Sequence, residues 1–228
     1  MDRNLLQKHI FATYVTLRYG MAALALAFPI LLYALGKFKG IDLENSMSHY
    51  YFSIAPDDAT KKIFPMRPWF VGFLFAIGSA AYLYKGFSVK ENNALNVAGV
   101  CAIGVAVFPM DPNCAANCMF SLHGTFAVLL FLCIAYVSIA CAEDTLRFVQ
   151  DETKRKHFRR VYKTLGVLMI VSPVTAFLLS AFFQDYKKYI FFIEAAGVCA
   201  FALYWWKKSD EMSLSGADKR ALSAEIET

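Results

Sequence analysis

The stretch FPMDPNCAANCMFSLHG, residues 108–124, connects two apolar runs and contains no lysine or arginine. It carries one carboxylate, Asp111, and it ends with His123, one of only four histidines in the chain. Apolar runs like the two beside it are typical of helices that cross a bilayer, which need about 20 residues. We therefore predict that this stretch is a polar connection between two membrane-spanning helices.

The composition of the whole chain supports a membrane protein. Hydrophobic residues make up 58%, the mean hydropathy is +0.44, and only 18% of residues are charged. A soluble domain carries about 25% charged residues. The charges are clumped between long neutral runs, so the net charge of +5 fits membrane orientation better than nucleic-acid binding.

Six apolar runs predict an all-α bundle of six transmembrane helices. The runs are 15–36, 69–84, 94–109, 118–141, 164–184 and 189–206. We expect a six-helix transmembrane domain over residues 1–208, a charged loop over 142–163 and a polar, mobile cytoplasmic tail over 209–228. Arg18, near the start of the first span, is expected to extend to the nearby headgroups.

The distribution of basic residues predicts the orientation. Sixteen of the 23 lysines and arginines fall in the N-terminal segment, the second and fourth loops and the C-terminal tail. Because cytoplasmic segments carry the excess of basic residues, both termini are expected in the cytoplasm. The first, third and fifth loops then face outward. A multi-pass protein of a bacterial inner membrane is the localisation we expect.

Several polar residues then fall on the outer side. Glu194 lies about five residues into the sixth span, so about 8 Å deep at 1.5 Å per residue. Ionisable groups inside a membrane are costly and usually face an interior or a wet cavity. The candidate catalytic residues are Asp111, His123 and Glu194, and the candidate ligand-binding residues are Ser46, Ser48, His49 and Tyr50.

The same side offers residues for two further kinds of site, a zinc site and a disulfide. His49, Asp111 and His123 offer nitrogen and oxygen ligands suited to zinc, although the chain has no His-x-x-x-His or His-Glu-x-x-His motif. Cys114 and Cys118 are separated by three residues. They form a disulfide in an oxidising compartment, or they are two free thiols.

The Phe-Pro-x-Asp sequence ending at Asp111, followed by Leu-His-Gly around His123, resembles six-span membrane proteins of the DRAM/Sfk-like group and a related bacterial family of unknown function. This resemblance implies a role linked to membrane lipids and names Asp111 and His123 as site residues. Ser48, His49, Asp111 and His123 also resemble part of the zinc site of alkaline ceramidases and adiponectin-receptor-like proteins. Those proteins have seven spans and a late His-x-x-x-His pair, where this chain has Glu194.

Three functions remain open from the sequence. The first is a lipid-associated membrane protein whose outward polar site binds a headgroup. The second is a membrane-embedded lipid hydrolase, in which zinc, or Glu194 with His123, activates water. The third is a small proton-coupled transporter that uses His123 and Glu194 as a relay. The expected partners are membrane lipids rather than nucleic acid.

Overall fold

The computed structural model describes residues 3–56, 63–111, 121–182 and 187–222, and every regular element in these ranges is helical. The elements are α1 Arg3–Phe38, a 3₁₀ turn Met47–Tyr51, α2 Arg67–Leu83, α3 Val89–Val107, α4 Leu122–Tyr136, a π turn Val137–Cys141, α5 Glu143–Leu146, α6 Glu152–Phe182, α7 Lys187–Ser215 and α8 Ala217–Leu222. The predicted all-α class is confirmed.

The six long helices form a closed ring in chain order. Each of α1, α2, α3, α4, α6 and α7 packs against the next, and α7 returns to pack along α1. One end of the ring, which we call the loop end, holds the 3₁₀ turn and the start of α4. The other, the terminal end, holds α8 and the connections α2–α3 and α4–α6.

Glycines allow the closest helix contact in the ring, between α2 and α3. A Cβ atom built on Gly99 would lie 2.5 Å from the carbonyl oxygen of Gly78, and one built on Gly78 would lie 2.7 Å from that of Gly99. Only a residue without a side chain lets two helix backbones approach this closely. The small residues of the third apolar run therefore serve helix packing.

Four described helical segments are long and apolar enough to cross a membrane. They are Leu5–Phe38, Leu122–Leu146, Glu152–Leu179 and Tyr189–Ser215. Their outward faces carry exposed large apolar side chains, among them Ile30, Leu132, Val171 and Leu203. A ring of helices that is apolar on its outer surface is suited to contact with lipid.

The predicted charged loop over residues 142–163 is mostly helical in the structure. The π turn leads directly into α5, and α6 begins at Glu152, so that only residues 147–151 separate the helices. Lysine, arginine and glutamate are good helix formers, and Glu152 pairs with Lys156 one turn later. The prediction of a loop was wrong because charge marks the end of an apolar run and not the end of a helix.

The helix of the sixth apolar run, α7, continues beyond residue 208, where the sequence suggested a domain boundary. α7 runs to Ser215, and Lys208, Ser209 and Glu211 are buried. Gly216 then adopts a positive φ of 64°, and its N–H donates to the Met212 carbonyl at 3.1 Å. Glycine takes this left-handed conformation without strain, so the chain reverses here and α8 folds back onto the bundle.

Candidate functional site

A short 3₁₀ turn, Met47–Tyr51, builds the polar site at the loop end. Ser46 caps the turn, because its hydroxyl oxygen accepts the His49 N–H at 3.3 Å. The same Ser46 hydroxyl lies 2.7 Å from His49 Nδ1. Serine is a favourable N-cap residue because its side chain satisfies a backbone donor that the first turn leaves unpaired. Both side chains of this Ser–His pair thus stabilise the turn.

A second Ser–His pair joins the turn to α4. Ser48 Oγ lies 3.0 Å from His123 Nε2. The other ring nitrogen, His123 Nδ1, lies 2.9 Å from the Phe108 carbonyl and 3.2 Å from the Val105 carbonyl at the end of α3. A carbonyl oxygen can only accept, so Nδ1 carries the proton and Nε2 offers its lone pair to the Ser48 hydroxyl.

The sequence explains why His123 stands at this point. Ser121 caps α4 by accepting the Gly124 N–H at 3.0 Å, so the helix begins at Leu122 and His123 falls in its first turn. α3 ends at Val107, where its last carbonyls have no partner within the helix. The ring of His123 satisfies these carbonyls, and this fixes its orientation.

Glu194 of α7 lies on the opposite side of the 3₁₀ turn. Its Oε2 accepts the backbone N–H of Met47 at 2.7 Å, one residue before Ser48. The Phe191 N–H donates to the Asn45 carbonyl at 3.1 Å, one helical turn away. A carboxyl oxygen accepts a backbone N–H. Glu194 therefore ties the turn that carries Ser48 to α7.

Arg67, at the start of α2, stabilises the C-terminal side of the turn. Its guanidinium carbon lies 4.1 Å from the ring centroid of Phe64 and 4.4 Å from that of Tyr51. Its Nε donates to the Tyr51 carbonyl at 3.3 Å. Stacking on aromatic faces together with a directed N–H donor is a property of arginine that lysine lacks. The loop that carries the site is thus packed onto the bundle.

Glu44 lies just before the turn, outside the helices. It is partly buried, and burial raises the pKa of its carboxyl group above the usual value. Burial alone explains the raised pKa, because it penalises the charged form of the carboxyl group.

The structure brings together Ser46, Ser48, His49, His123 and Glu194 and gives different places to the other predicted residues. Tyr50 is fully buried and packs against Phe191, with ring centroids 5.8 Å apart, so it belongs to the core. Asp111 is exposed, three residues beyond Phe108. The predicted pair Cys114 and Cys118 lies outside the described residues.

The predicted zinc ligands His49, Asp111 and His123 do not form a metal site in the structure. Throughout the described ranges, no group of three His, Cys, Asp or Glu side chains is arranged to hold a metal ion. In addition, both ring nitrogens of His123 are occupied by protein partners. Ser48 and His123 thus place a serine hydroxyl beside an imidazole nitrogen at the loop end.

The sequence reasoning missed a second polar cluster, at the terminal end. Arg18 does not extend to the headgroups, because its side chain is 0% exposed and pairs with Asp218 of α8. Glu91, Lys208 and Glu211 are buried at the same end of the bundle. One feature of the sequence could have indicated this cluster. Lys208 and Glu211 are three residues apart, the spacing of a helical ion pair, and they follow an apolar helix without a break.

Comparisons with family models, with curated proteins and with solved structures found no match for this chain.

Proposed function

We propose that all six long helices span the membrane, with the loop end outside and both termini in the cytoplasm. The polar groups of α7 support this arrangement. Glu194 and Glu211 are seventeen residues apart, which corresponds to about 25 Å along a helix. The hydrocarbon core of a bilayer is about 30 Å thick, so the two groups would lie near its opposite boundaries. The excess of basic residues assigns the terminal end to the cytoplasm.

We propose that the protein is a membrane-embedded hydrolase that cleaves an ester or amide bond of a membrane lipid at the outer interface. The contact between Ser48 Oγ and His123 Nε2, at 3.0 Å, carries this proposal. A serine is a weak nucleophile until an adjacent base takes its proton. The carbonyls of Val105 and Phe108 hold the protonated Nδ1, so the basic nitrogen faces the hydroxyl. The carbonyls thus fix the tautomer and orientation of the imidazole, which is one part of the role of the acidic residue in a Ser–His–Asp triad.

Each residue then has one role in the reaction. Ser48 Oγ attacks the lipid carbonyl carbon while its proton passes to His123 Nε2. The tetrahedral intermediate collapses, the bond to the alcohol or amine breaks, and the leaving group takes the proton from His123. Water then cleaves the acyl–Ser48 ester, with His123 again accepting a proton and returning it to Ser48. Glu194 positions Ser48 through the Met47 N–H and does not take part in proton transfer.

Ser48, and not Ser46, is the nucleophile in this proposal. The Ser46 hydroxyl is buried, caps the turn and already contacts His49 within the same turn. Ser48 is half-buried and contacts a histidine from another helix. Ser48 lies within the 3₁₀ turn where it contacts α4, and it is the more accessible of the two serines.

Exposed apolar residues around the loop end support a lipid substrate. Leu122 precedes His123 and is 60% exposed, while Phe192, two residues before Glu194, is 57% exposed. Side chains of this kind can contact acyl chains while the polar turn lies at headgroup level. A substrate with a carbonyl group between an apolar chain and a polar head fits this arrangement.

The test is covalent labelling of the purified protein in nanodiscs with a fluorophosphonate, which reacts with activated serines. We expect wild-type protein to be labelled at Ser48, and both Ser48→Ala and His123→Gln to lose labelling by about 100-fold or more, because a general base contributes 10²–10⁴-fold. Ser53→Ala is the matched control, since Ser53 donates to the Tyr50 carbonyl in the same loop and has no histidine partner in the described contacts.

Two further measurements connect labelling to function. Mass spectrometry of nanodisc lipids should show a released fatty acid that depends on Ser48 and His123. Labelling of Ser48→Ala equal to that of wild type would refute the assignment of the nucleophile. A wild-type protein that is neither labelled nor releases fatty acid, but retains a co-purified lipid, would refute hydrolysis and favour headgroup binding alone.

A further inference from the structure

The cluster at the terminal end contains two cations, each held by a carboxylate. The Arg18 guanidinium donates to both carboxylate oxygens of Asp218, at 2.6 and 3.2 Å, and to the Tyr84 hydroxyl at 3.2 Å. Lys208 Nζ lies 3.1 Å from Glu211 Oε2. Arg18, Lys208 and Glu211 are each at most 1% exposed, and the Asp218 side chain is 10% exposed.

The Lys208–Glu211 pair is completed by neutral hydroxyl groups. The Thr145 hydroxyl lies 3.0 Å from Glu211 Oε2 and accepts from Lys208 Nζ, and the Tyr162 hydroxyl donates to the same carboxylate at 3.3 Å. Buried ion pairs are tolerated when further hydrogen bonds satisfy the remaining donors and acceptors. Each of the two cations thus has its own carboxylate, while Arg18 Nε and Glu211 Oε1 are buried without a hydrogen-bond partner.

Glu91 is the third carboxylate, and no cation of the described residues lies within hydrogen-bonding distance of it. It is 1% exposed, and its Oε2 accepts the Phe87 N–H at 2.9 Å. This contact belongs to the start of α3, where Ser88 is the N-cap and accepts the Glu91 N–H at 3.3 Å. The second oxygen, Glu91 Oε1, is buried without a hydrogen-bond partner. Helix capping therefore explains one oxygen of this side chain and leaves the other unexplained.

The charges around Glu91 do not balance if every carboxylate is ionised. Among the described residues, three carboxylates of this cluster, the buried Glu211 and Glu91 and the partly buried Asp218, face two buried cations, Arg18 and Lys208. An uncompensated charge in a dry interior is so costly that the group takes up a proton instead. Lys85 and Lys90, the nearest lysines in the sequence, are both exposed.

The groups that act electrostatically on Glu91 come from every helix packed around it. They are Tyr84, Cys141, Asp144, Tyr162, Tyr204, Lys208 and Glu211, with Arg18 and Asp218 behind Tyr84. Asp144 and Glu211 add negative charge, and Lys208 adds the positive charge that is already paired with Glu211. Among the described side chains, the cation that acts on Glu91 is therefore already paired with another carboxylate.

We propose that Glu91 is a proton-binding site at the cytoplasmic end of the bundle, with one proton held on its carboxyl group at neutral pH. The proton removes the excess negative charge from the interior. The buried oxygen Oε1 is the place for it, because Oε2 is occupied by a backbone donor. This site is independent of the hydrolase reaction at the loop end, since none of its residues contacts Ser48 or His123 in the described structure.

Infrared spectroscopy tests the proposal directly. A protonated carboxyl group gives a carbonyl stretching band that shifts to lower frequency in D₂O. At pH 7 and without sodium, we expect such a band in wild-type protein, and in Glu91→Gln we expect it to lose the intensity of one carboxyl group. Glu152→Gln is the matched control, because Glu152 is exposed, and it should retain the band. In Glu91→Asp the band should persist at a shifted frequency, which separates the loss of the proton from the loss of the fold.

The outcomes are distinguishable. The absence of the band in wild-type protein at pH 7, or a band that is unchanged in Glu91→Gln, would overturn the proposal. Sodium provides a second comparison, because a bound Na⁺ would also neutralise the carboxylate. Stabilisation of wild-type protein by NaCl but not KCl, absent in Glu91→Gln, would assign the site to sodium and overturn the assignment to a proton.

Discussion

Asp218→Asn tests whether α8 is an integral part of the bundle. The substitution preserves size and removes the negative charge from the partner of Arg18, whose guanidinium is 0% exposed. Removing one partner of a buried ion pair costs about 3–5 kcal/mol, because the remaining charge is buried without compensation. Asp218 accepts two hydrogen bonds from Arg18, at 2.6 and 3.2 Å. We therefore expect the substitution to lower the free energy of unfolding by about 3–5 kcal/mol.

The matched control is Asp42→Asn. Asp42 pairs with Lys37 at 2.8 Å, a distance similar to that of the buried pair, but the two side chains are 91% and 60% exposed. Solvent screens an exposed pair, so we expect no measurable loss of stability. The contrast between these two variants isolates the effect of burial from that of contact distance.

The assay is equilibrium unfolding in mixed micelles with increasing SDS, monitored by tryptophan fluorescence. Trp205 lies in the terminal cluster, with its ring centroid 4.9 Å from that of Tyr84, and reports on this end of the bundle. Arg18→Met combined with Asp218→Asn should be more stable than Asp218→Asn alone, because the unpaired cation is gone. An effect of Asp218→Asn no larger than that of Asp42→Asn would refute the view that α8 neutralises a buried charge.

Three other substitutions test separate parts of the structure. Gly99→Ala should destabilise the protein by about 1–3 kcal/mol in the same unfolding assay, because the new Cβ would meet the Gly78 carbonyl. Gly72→Ala is the control, and it should be neutral or stabilising because the space around Gly72 is open. Glu194→Ala should lower fluorophosphonate labelling of the serine in the 3₁₀ turn while unfolding stays cooperative, and labelling equal to that of wild type would show that Glu194 does not position the turn. Burial raises the pKa of Glu44, so the folded protein retains this proton more strongly than the unfolded chain, and the free energy of unfolding falls as pH rises from about 4.5 to the raised pKa. In Glu44→Gln, unfolding measured across that pH range should show a smaller slope. A slope equal to that of wild type would contradict this prediction.

The sequence predicts the helices well and their ends poorly. Each of the six apolar runs overlaps one long helix, and the runs 15–36 and 189–206 lie entirely within α1 and α7, because a continuous apolar run of this length has few alternatives to a buried or lipid-facing helix. The fifth long helix, α6, begins at Glu152, earlier than predicted, and α7 ends at Ser215, later than the predicted boundary at residue 208. Hydropathy reports where a helix stops facing lipid, whereas the helices at Glu152 and Ser215 continue into water or into protein contacts.

The membership of the loop-end site could be anticipated, but its contacts could not. The alternation of helix directions already suggested that Ser48, His123 and Glu194 share one end of the bundle. It did not indicate that His123 contacts Ser48, or that Glu194 binds a backbone N–H instead of a second ionisable group. Those partners are 75 and 147 residues apart in the chain, and only the packing order of the ring determines which of them meet.

The terminal cluster shows where a local rule gives the wrong partner. An arginine near the start of a membrane span has two ways to avoid lipid, which are extension to the headgroups and pairing inside the protein. Sequence position favours the first, because no carboxylate lies near Arg18 in the first span. The actual partner is 200 residues away and is brought back by the reversal at Gly216. When the helices of a sequence are expected to close into a ring, a charged residue in a span and an acidic residue after the last span should therefore be considered as partners, if a glycine before the acidic residue can reverse the chain.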